Sequence, residues 1–280
     1  MDVQRCRNAD EFLERAGEFL VAREAEHNLI LGLTGRLREN PFIYGDQGPY
    51  FAVAEADARV VAAAMRTPPH NLILSEVDHD RALDALADDV RSKFSEIPGV
   101  LGPTAAAERF VSLWGVPGER KLAQRAHRAE SVTIPKGVSG RMRDYEESDR
   151  DLVLCWLYEF IDEALGGGGP ETPESSLEHR LADPDGGYVL WEDDGGAVSL
   201  AGYGAPTPNG IRVGPVYTPP ELRRRGYATA LTAELTKRLL EGGRRFCFLF
   251  TDLANPTSNS IYYAVGYRPV TDIDMWAFRK

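Results

Sequence analysis

"IRVGPVYTPPELRRRGYATALTAEL", residues 211 to 235, sets an apolar run against two prolines, three arginines and a glycine, then a helix-period sequence. The apolar run "GIRVGPVYT" (210–218) predicts a strand. Pro219-Pro220 stops it, because proline cannot donate to a ladder. The following "YATALTAELTKRLL" places Ala228, Leu231, Leu235 and Leu239 on one helical face, and Gly242 and Gly243 end the helix. A helix N-terminus carries unpaired N–H groups and the positive end of the dipole, so it attracts anions. Arginines are unfavourable there unless something negative sits beside them. Arg223, Arg224 and Arg225 are therefore read as a phosphate clamp. Gly226 allows close backbone approach, Ala228 keeps that approach clear, and Thr229 adds a hydroxyl donor.

Other phosphate and metal motifs are missing. There is no Gly-Lys-Ser/Thr, and "GYGAPT" (202–207) lacks the third glycine of a dinucleotide fingerprint. No His-Glu-x-x-His, Cys-x-x-Cys or Gly-x-Ser-x-Gly occurs, and "DHD" (78–80) is read as helix-capping carboxylates.

Outward from this stretch the chain reads as α/β, in two halves of similar order. The first has a short start "DVQRCRNAD" and a helix with Phe12, Phe19 and Leu20. Two runs about a polar turn follow, "YFAVAEADARVVAAAMRTP", then "NLILS" and a helix with Leu83, Leu86, Val90 and Phe94. The second has "SGRMRDYEESD", the helix "RDLVLCWLYEFIDEAL", paired runs about Asp193–Gly196, and the strand and helix already described. The segment "ESVTIPKGVSG" (130–140) is taken as a strand leaving the first half, then a break. The boundary is set there, giving units 1–135 and 136–280. The glycine run "GGGGPETPESS" (166–176) is expected to be a mobile loop within the second unit.

Acidic side chains outnumber basic ones 43 to 32, a net charge of −11. With no basic half or tail, a nucleic acid is not an expected partner. Cys6, Cys155 and Cys247 lie far apart, which fits a reducing cytoplasm better than a disulfide framework. No run approaches the roughly 18 apolar residues of a membrane span, so no membrane partner is expected.

Past the helix, Phe246 to Phe250 form a continuous apolar run, as in a strand covered on both faces. Asn255-Pro256 then opens a short helix that Gly266 ends. At these residues the sequence resembles the Gcn5-related N-acetyltransferase (GNAT) family. The family loop Arg/Gln-x-x-Gly-x-Gly/Ala corresponds to Arg223–Ala228. The family Asn after the fifth strand, and a Tyr seven residues on, correspond to Asn255 and Tyr262 within "YYAVGY". The match covers about residues 138–280.

The first half resembles the fold weakly. It has "SEVDHDRALDAL" where the loop would stand, as in a degenerate copy that binds no cofactor. Such a half would serve as a scaffold. The implied architecture is two GNAT-like domains, each a mixed, mostly antiparallel sheet flanked by helices. The implied activity is direct acetyl transfer from acetyl-CoA to the primary amine of a small molecule, without a metal, in a monomer or homodimer. The pyrophosphate would lie on amides from Arg224 to Thr229, past Tyr227, and the pantetheine along Val216, Tyr217 and Thr218. Asn255 would contact the pantetheine and Tyr262 would protonate the leaving thiolate.

Several family members carry a Glu on the fourth strand as base, and "GIRVGPVYT" has none. The amine's proton would then leave through water, a backbone carbonyl, or a carboxylate from elsewhere such as Glu159 or Asp162. An acidic segment, with Glu159, Asp162, Glu163, Glu171, Glu174 and Glu178 over 155–181, would favour a cationic acceptor.

Overall fold

The computed structural model describes residues 1–165 and 172–279. The chain divides into two compact units, Met1–Ala126 with Val270–Lys280, and His127–Pro269. The first unit starts with strand β1 (Asp2–Cys6), helices α1 (Ala9–Ala22) and α2 (Asn28–Glu39), and a hairpin of β2 (Tyr50–Ala56) and β3 (Arg59–Arg66). It continues through β4 (Leu72–Leu74), α3 (Ala82–Lys93), β5 (Gly99–Pro103), α4 (Thr104–Trp114) and β6 (Gly118–Ala129), whose end falls in the second unit. Strands β1 to β5 lie in sequence order, antiparallel except for β4 beside β5. Asp57 and Ala58 both take left-handed φ, 50° and 59°, making the two-residue turn whose twist matches a hairpin.

Strand alternation sorts the core. Phe51, Val53 and Met65 face Phe12, Leu20 and Ile30 of α1 and α2. Ala52, Ala64 and Leu72 face Leu86, Val90 and Phe110 of α3 and α4.

The second unit repeats this layering. Its elements are β7 (Arg141–Asp144), α5 (Arg150–Leu165), α6 (Pro173–Ala182), β8 (Gly187–Asp193), β9 (Gly196–Gly204), β10 (Gly210–Tyr217), α7 (Tyr227–Glu241), β11 (Phe246–Asp252) and α8 (Pro256–Val265). Strands β7 to β11 again lie in order, with β10 and β11 the parallel pair. Helices α5 and α6 cover Tyr188, Leu190, Leu200 and Tyr217. Helix α7 covers Val189, Ala201, Ile211, Val213, Cys247 and Leu249 on the opposite face. A last strand, β12 (Arg268–Phe278), pairs antiparallel with β5, so from Val270 onward it belongs to the first unit.

Several expectations differ from this arrangement. A single boundary between residues 135 and 136 does not describe the compact units, because the C-terminal strand returns to the first. The strand expected within 130–140 lies earlier, at β6, and residues 130–140 hold no strand. Helix α3 has Arg81 at its cap position and no side-chain cap bond, and Asp78 instead takes Arg23 at 2.7 Å. Much of the glycine run, residues 166–171, lies outside the described residues.

Candidate active site

Strands β10 and β11 pair only over Gly210–Arg212, although β11 runs on to Asp252. Between Val213 and Val216 β10 shifts register against β9. The bulge turns the strand, and a gap opens between the only parallel strands of this unit's sheet among the described residues. Val216 stays half-buried against the α7 face. Tyr217 is buried on the α5 face, where burial and then a hydrogen bond to Glu159 push its phenol up to about 12. Thr218 closes the strand end, its Oγ1 2.8 Å from Ser199 Oγ, which in turn donates to the Tyr217 carbonyl at 3.0 Å.

The chain then turns into α7. Arg224 has φ 64° and Gly226 φ 87°, both left-handed, with Arg225 between them. Such alternation makes a concave nest of backbone N–H groups. The L residue Arg224 holds that conformation at a cost of about 1–2 kcal/mol. With glycine at its cap position α7 has no side-chain cap bond, so among the described residues the N–H groups of its first turn are not met by a capping side chain. A Cβ at Gly226 would lie 2.9 Å from Val138 Cγ2, so space as well as φ requires glycine.

Tyr227 pins the helix start: its ring is buried in the core and its hydroxyl donates to Asp193 at 2.5 Å. That bond, with one from Ser139, holds the Asp193 carboxyl below the usual carboxylate range. Ala228 and Thr229 are half-buried on the first turn.

The arginines separate in role. Arg223 donates to Glu163 through both terminal nitrogens, at 2.9 and 2.6 Å, and through Nε to the Thr218 carbonyl at 2.8 Å. Arg224 and Arg225 are exposed.

Helix α8 borders β11. Asn255 is exposed at its start, and its carbonyl accepts from Asn259. Tyr262 lies half-buried with its ring 6.1 Å from that of Tyr267, in an edge-on contact. Burial pushes its phenol up to about 12, and its hydroxyl makes no hydrogen bond among the described residues. Tyr263 is not a core residue. It is 59% exposed beneath the Arg268 guanidinium, 4.0 Å from the ring centroid.

The sequence model of the Acetyltransferase (GNAT) family matches residues 154–267, the span that holds the gap, the loop and α8. Residues 154–267 are a GNAT acetyltransferase domain. Among solved structures the whole chain is similar to a Drosophila protein (TM-score 0.68, 14% identity, 99% of this chain and 98% of that one). It is also similar to a GCN5-related N-acetyltransferase from Sphaerobacter thermophilus (0.62, 17%, 98% and 94%). A third is a tandem GNAT protein from the clavulanic acid biosynthesis pathway, solved without AcCoA (0.59, 13%, 98% and 98%). At these identities the likeness is one of fold. No curated protein matches the sequence. The chemistry of a GNAT acetyltransferase domain is acyl transfer.

In this GNAT domain the acidic segment is partly neutralised. Glu163 holds Arg223, Glu174 accepts from Tyr158 at 2.5 Å, and Glu178 pairs with Arg150. Glu159 and Asp162 are exposed on α5, and Glu171 lies outside the described residues. Of two site-supporting residues, one escaped the sequence reading and the other entered it only as part of the acidic segment. Asn259 accepts from Thr251 Oγ1 at 2.6 Å and donates to the Asp252 carbonyl at 3.3 Å, tying α8 to the end of β11. Glu163 is the other. Neither stands in a motif, and only the partner across the fold reveals it.

The connection from β4 to α3 in the first unit is built differently. Residues 75 to 81 include no left-handed residue. The Glu76 N–H donates to His27 Nε2 at 3.1 Å, while His27 Nδ1 donates to the Leu20 carbonyl at 3.0 Å. Burial pushes His27 down to about 4, keeping it neutral with Nε2 as acceptor. The Asp78 N–H donates to the Val61 carbonyl at 2.8 Å. Backbone donors near this turn thus have internal partners. Among the described residues no helix is long and apolar enough to cross a membrane.

Proposed function

We propose that the chain is an N-acetyltransferase that moves the acetyl group of acetyl-CoA directly onto a primary amine of a small molecule, in the cytoplasm. The observation carrying this reading is the gap between β10 and β11 beside an uncapped, glycine-opened helix N-terminus. The nest at 224–226 and the N–H groups of Tyr227, Ala228 and Thr229 suit a pyrophosphate. Arg224 and Arg225 add charge. A pantetheine arm fits the open edge at Val216, Tyr217 and Thr218, where a backbone N–H can polarise the thioester carbonyl. Asn255, at the head of α8, is suited to contact that arm.

Attack by the amine breaks the thioester C–S bond as the new C–N bond forms. The leaving sulfur takes a proton from Tyr262, whose phenol is fully protonated at neutral pH and has no competing hydrogen-bond partner among the described residues, while the proton shed by the amine nitrogen passes to solvent water, which reprotonates the Tyr262 phenolate. Exposed Glu159 and Asp162 favour a cationic amine over an anionic one. The first unit is proposed to be a degenerate copy without a cofactor loop, supported by the paired backbone at Glu76 and Asp78.

Incubation with acetyl-CoA and a panel of small amines, read as free thiol, tests the activity. Binding of acetyl-CoA without thiol release from any amine would make the protein an acyl-CoA sensor instead. Preference for anionic acceptors at low salt would refute the proposed acceptor class.

A further inference from the structure

Among the described residues, Arg223 is the one loop arginine anchored by side-chain hydrogen bonds. Its two terminal nitrogens grip Glu163 and its Nε grips the Thr218 carbonyl. Its guanidinium also stacks 5.6 Å from the Tyr217 ring centroid. Glu163 lies on the last turn of α5, sixty residues away in sequence. Arg223 itself is extended, φ −68° and ψ 165°, immediately before the left-handed Arg224. Its anchorage therefore sets the direction from which the chain enters the nest.

We propose that Arg223 is a positioning residue held by Glu163, and that this pair, rather than a direct arginine–phosphate contact, aligns the backbone amides of 224–229. Three of the five Arg223 N–H groups are engaged, one on each terminal nitrogen by Glu163 and the Nε one by the Thr218 carbonyl, so the guanidinium is fixed in an orientation set by Glu163 rather than by a phosphate. The pair links α5, which carries Glu159 beside Tyr217, to the loop that would hold the cofactor. This rests on the proposed cofactor site, and it assigns Glu163 a task that no sequence motif marks.

The two arrangements predict opposite signs. If Glu163 positions Arg223, removing either partner lets the loop relax and weakens coenzyme A. If Arg223 is a clamp that Glu163 merely occupies, removing Glu163 frees it and tightens coenzyme A. The pair is partly exposed, 37% and 52% for the two side chains. The expected loss is therefore about two- to fivefold in Kd, the range an exposed ion pair can transmit. A direct charge-assisted phosphate bond would cost tenfold or more.

Calorimetric titration of the full chain with coenzyme A decides, using Glu163→Gln, Arg223→Gln, the double variant and Arg150→Gln. Arg150 pairs with Glu178 at the other end of α5, so it controls for a general loosening of that helix. The expected result is a similar loss in both single variants, no further loss in the double variant, and unchanged affinity in Arg150→Gln. Tighter binding by Glu163→Gln, independent losses that multiply, an equal loss in Arg150→Gln, or no change in any variant would each overturn the proposal. Failure of the unaltered protein to bind coenzyme A would instead overturn the cofactor site itself, and this proposal with it.

Discussion

Tyr262→Phe separates a catalytic hydroxyl from a structural one. The ring packs beside the core of the second unit and meets Tyr267 edge-on at 6.1 Å, and phenylalanine keeps both contacts. The hydroxyl makes no hydrogen bond among the described residues, so its removal leaves no orphaned partner there, and the melting temperature should hardly move. The phenol is pushed up to about 12, so at pH 7 it is wholly protonated and able to donate. General acid catalysis contributes about 10²–10⁴-fold, or about 2.7–5.5 kcal/mol of the barrier. Free thiol release from acetyl-CoA should fall by that factor, with little change in the Michaelis constant for acetyl-CoA. Tyr263→Phe is the matched control. Its hydroxyl is on an exposed ring, and the Arg268 stacking survives the change, so activity should stay within about twofold. A Tyr262→Phe enzyme with unaltered turnover, in a protein that does turn over, would refute Tyr262 as the proton donor. A crippled Tyr263→Phe beside an unaffected Tyr262→Phe would move that role to the other face of α8.

Arg224→Glu and Gly226→Asp should each weaken acetyl-CoA binding by tenfold or more, because each adds a carboxylate at the nest. Gly226→Asp also meets Val138 and a φ of 87°. Calorimetry of a folded double variant with unchanged affinity would refute the loop as the phosphate site. Coenzyme A should bind with a stoichiometry of one per chain, and a second equivalent abolished by changes around Glu76 would contradict the degenerate-copy reading. In the first unit, acid should act through His27. Its folded value of about 4 lies below the ordinary 6.5, so the unfolded chain binds the extra proton. Stability is full above pH 6.5 and declines as pH falls towards 4, by the order of 3 kcal/mol. Urea unfolding at pH 7 and pH 4.5 should show a smaller pH dependence in His27→Gln, and an equal dependence would refute His27 as its source.

What the sequence determined by itself was local. A strand stopped by prolines, a glycine where the backbone must turn left-handed, and a helix stopped by Gly242 and Gly243 are demands met within a few residues. The hairpin turns, β10, α7, β11 and the start of α8 were legible for that reason. So were Gly226 as the pivot of the loop and the seven-residue spacing from Asn255 to Tyr262. Only the tertiary structure decided matters that depend on distant partners. Three adjacent arginines look equivalent in sequence, yet one is held by Glu163 on another helix. Tyr227 follows the glycine as an ordinary helix residue, yet its hydroxyl meets Asp193 across the hairpin. Tyr262 and Tyr263 are chemically identical neighbours, separated only by which side of α8 meets the core. The C-terminal strand carries no mark of the unit it joins, because an edge of backbone N–H and C=O groups accepts any strand of suitable register. That choice is made by the pairing of Ile273 to Ala277 with Gly99 to Pro103, a contact that local periodicity cannot encode.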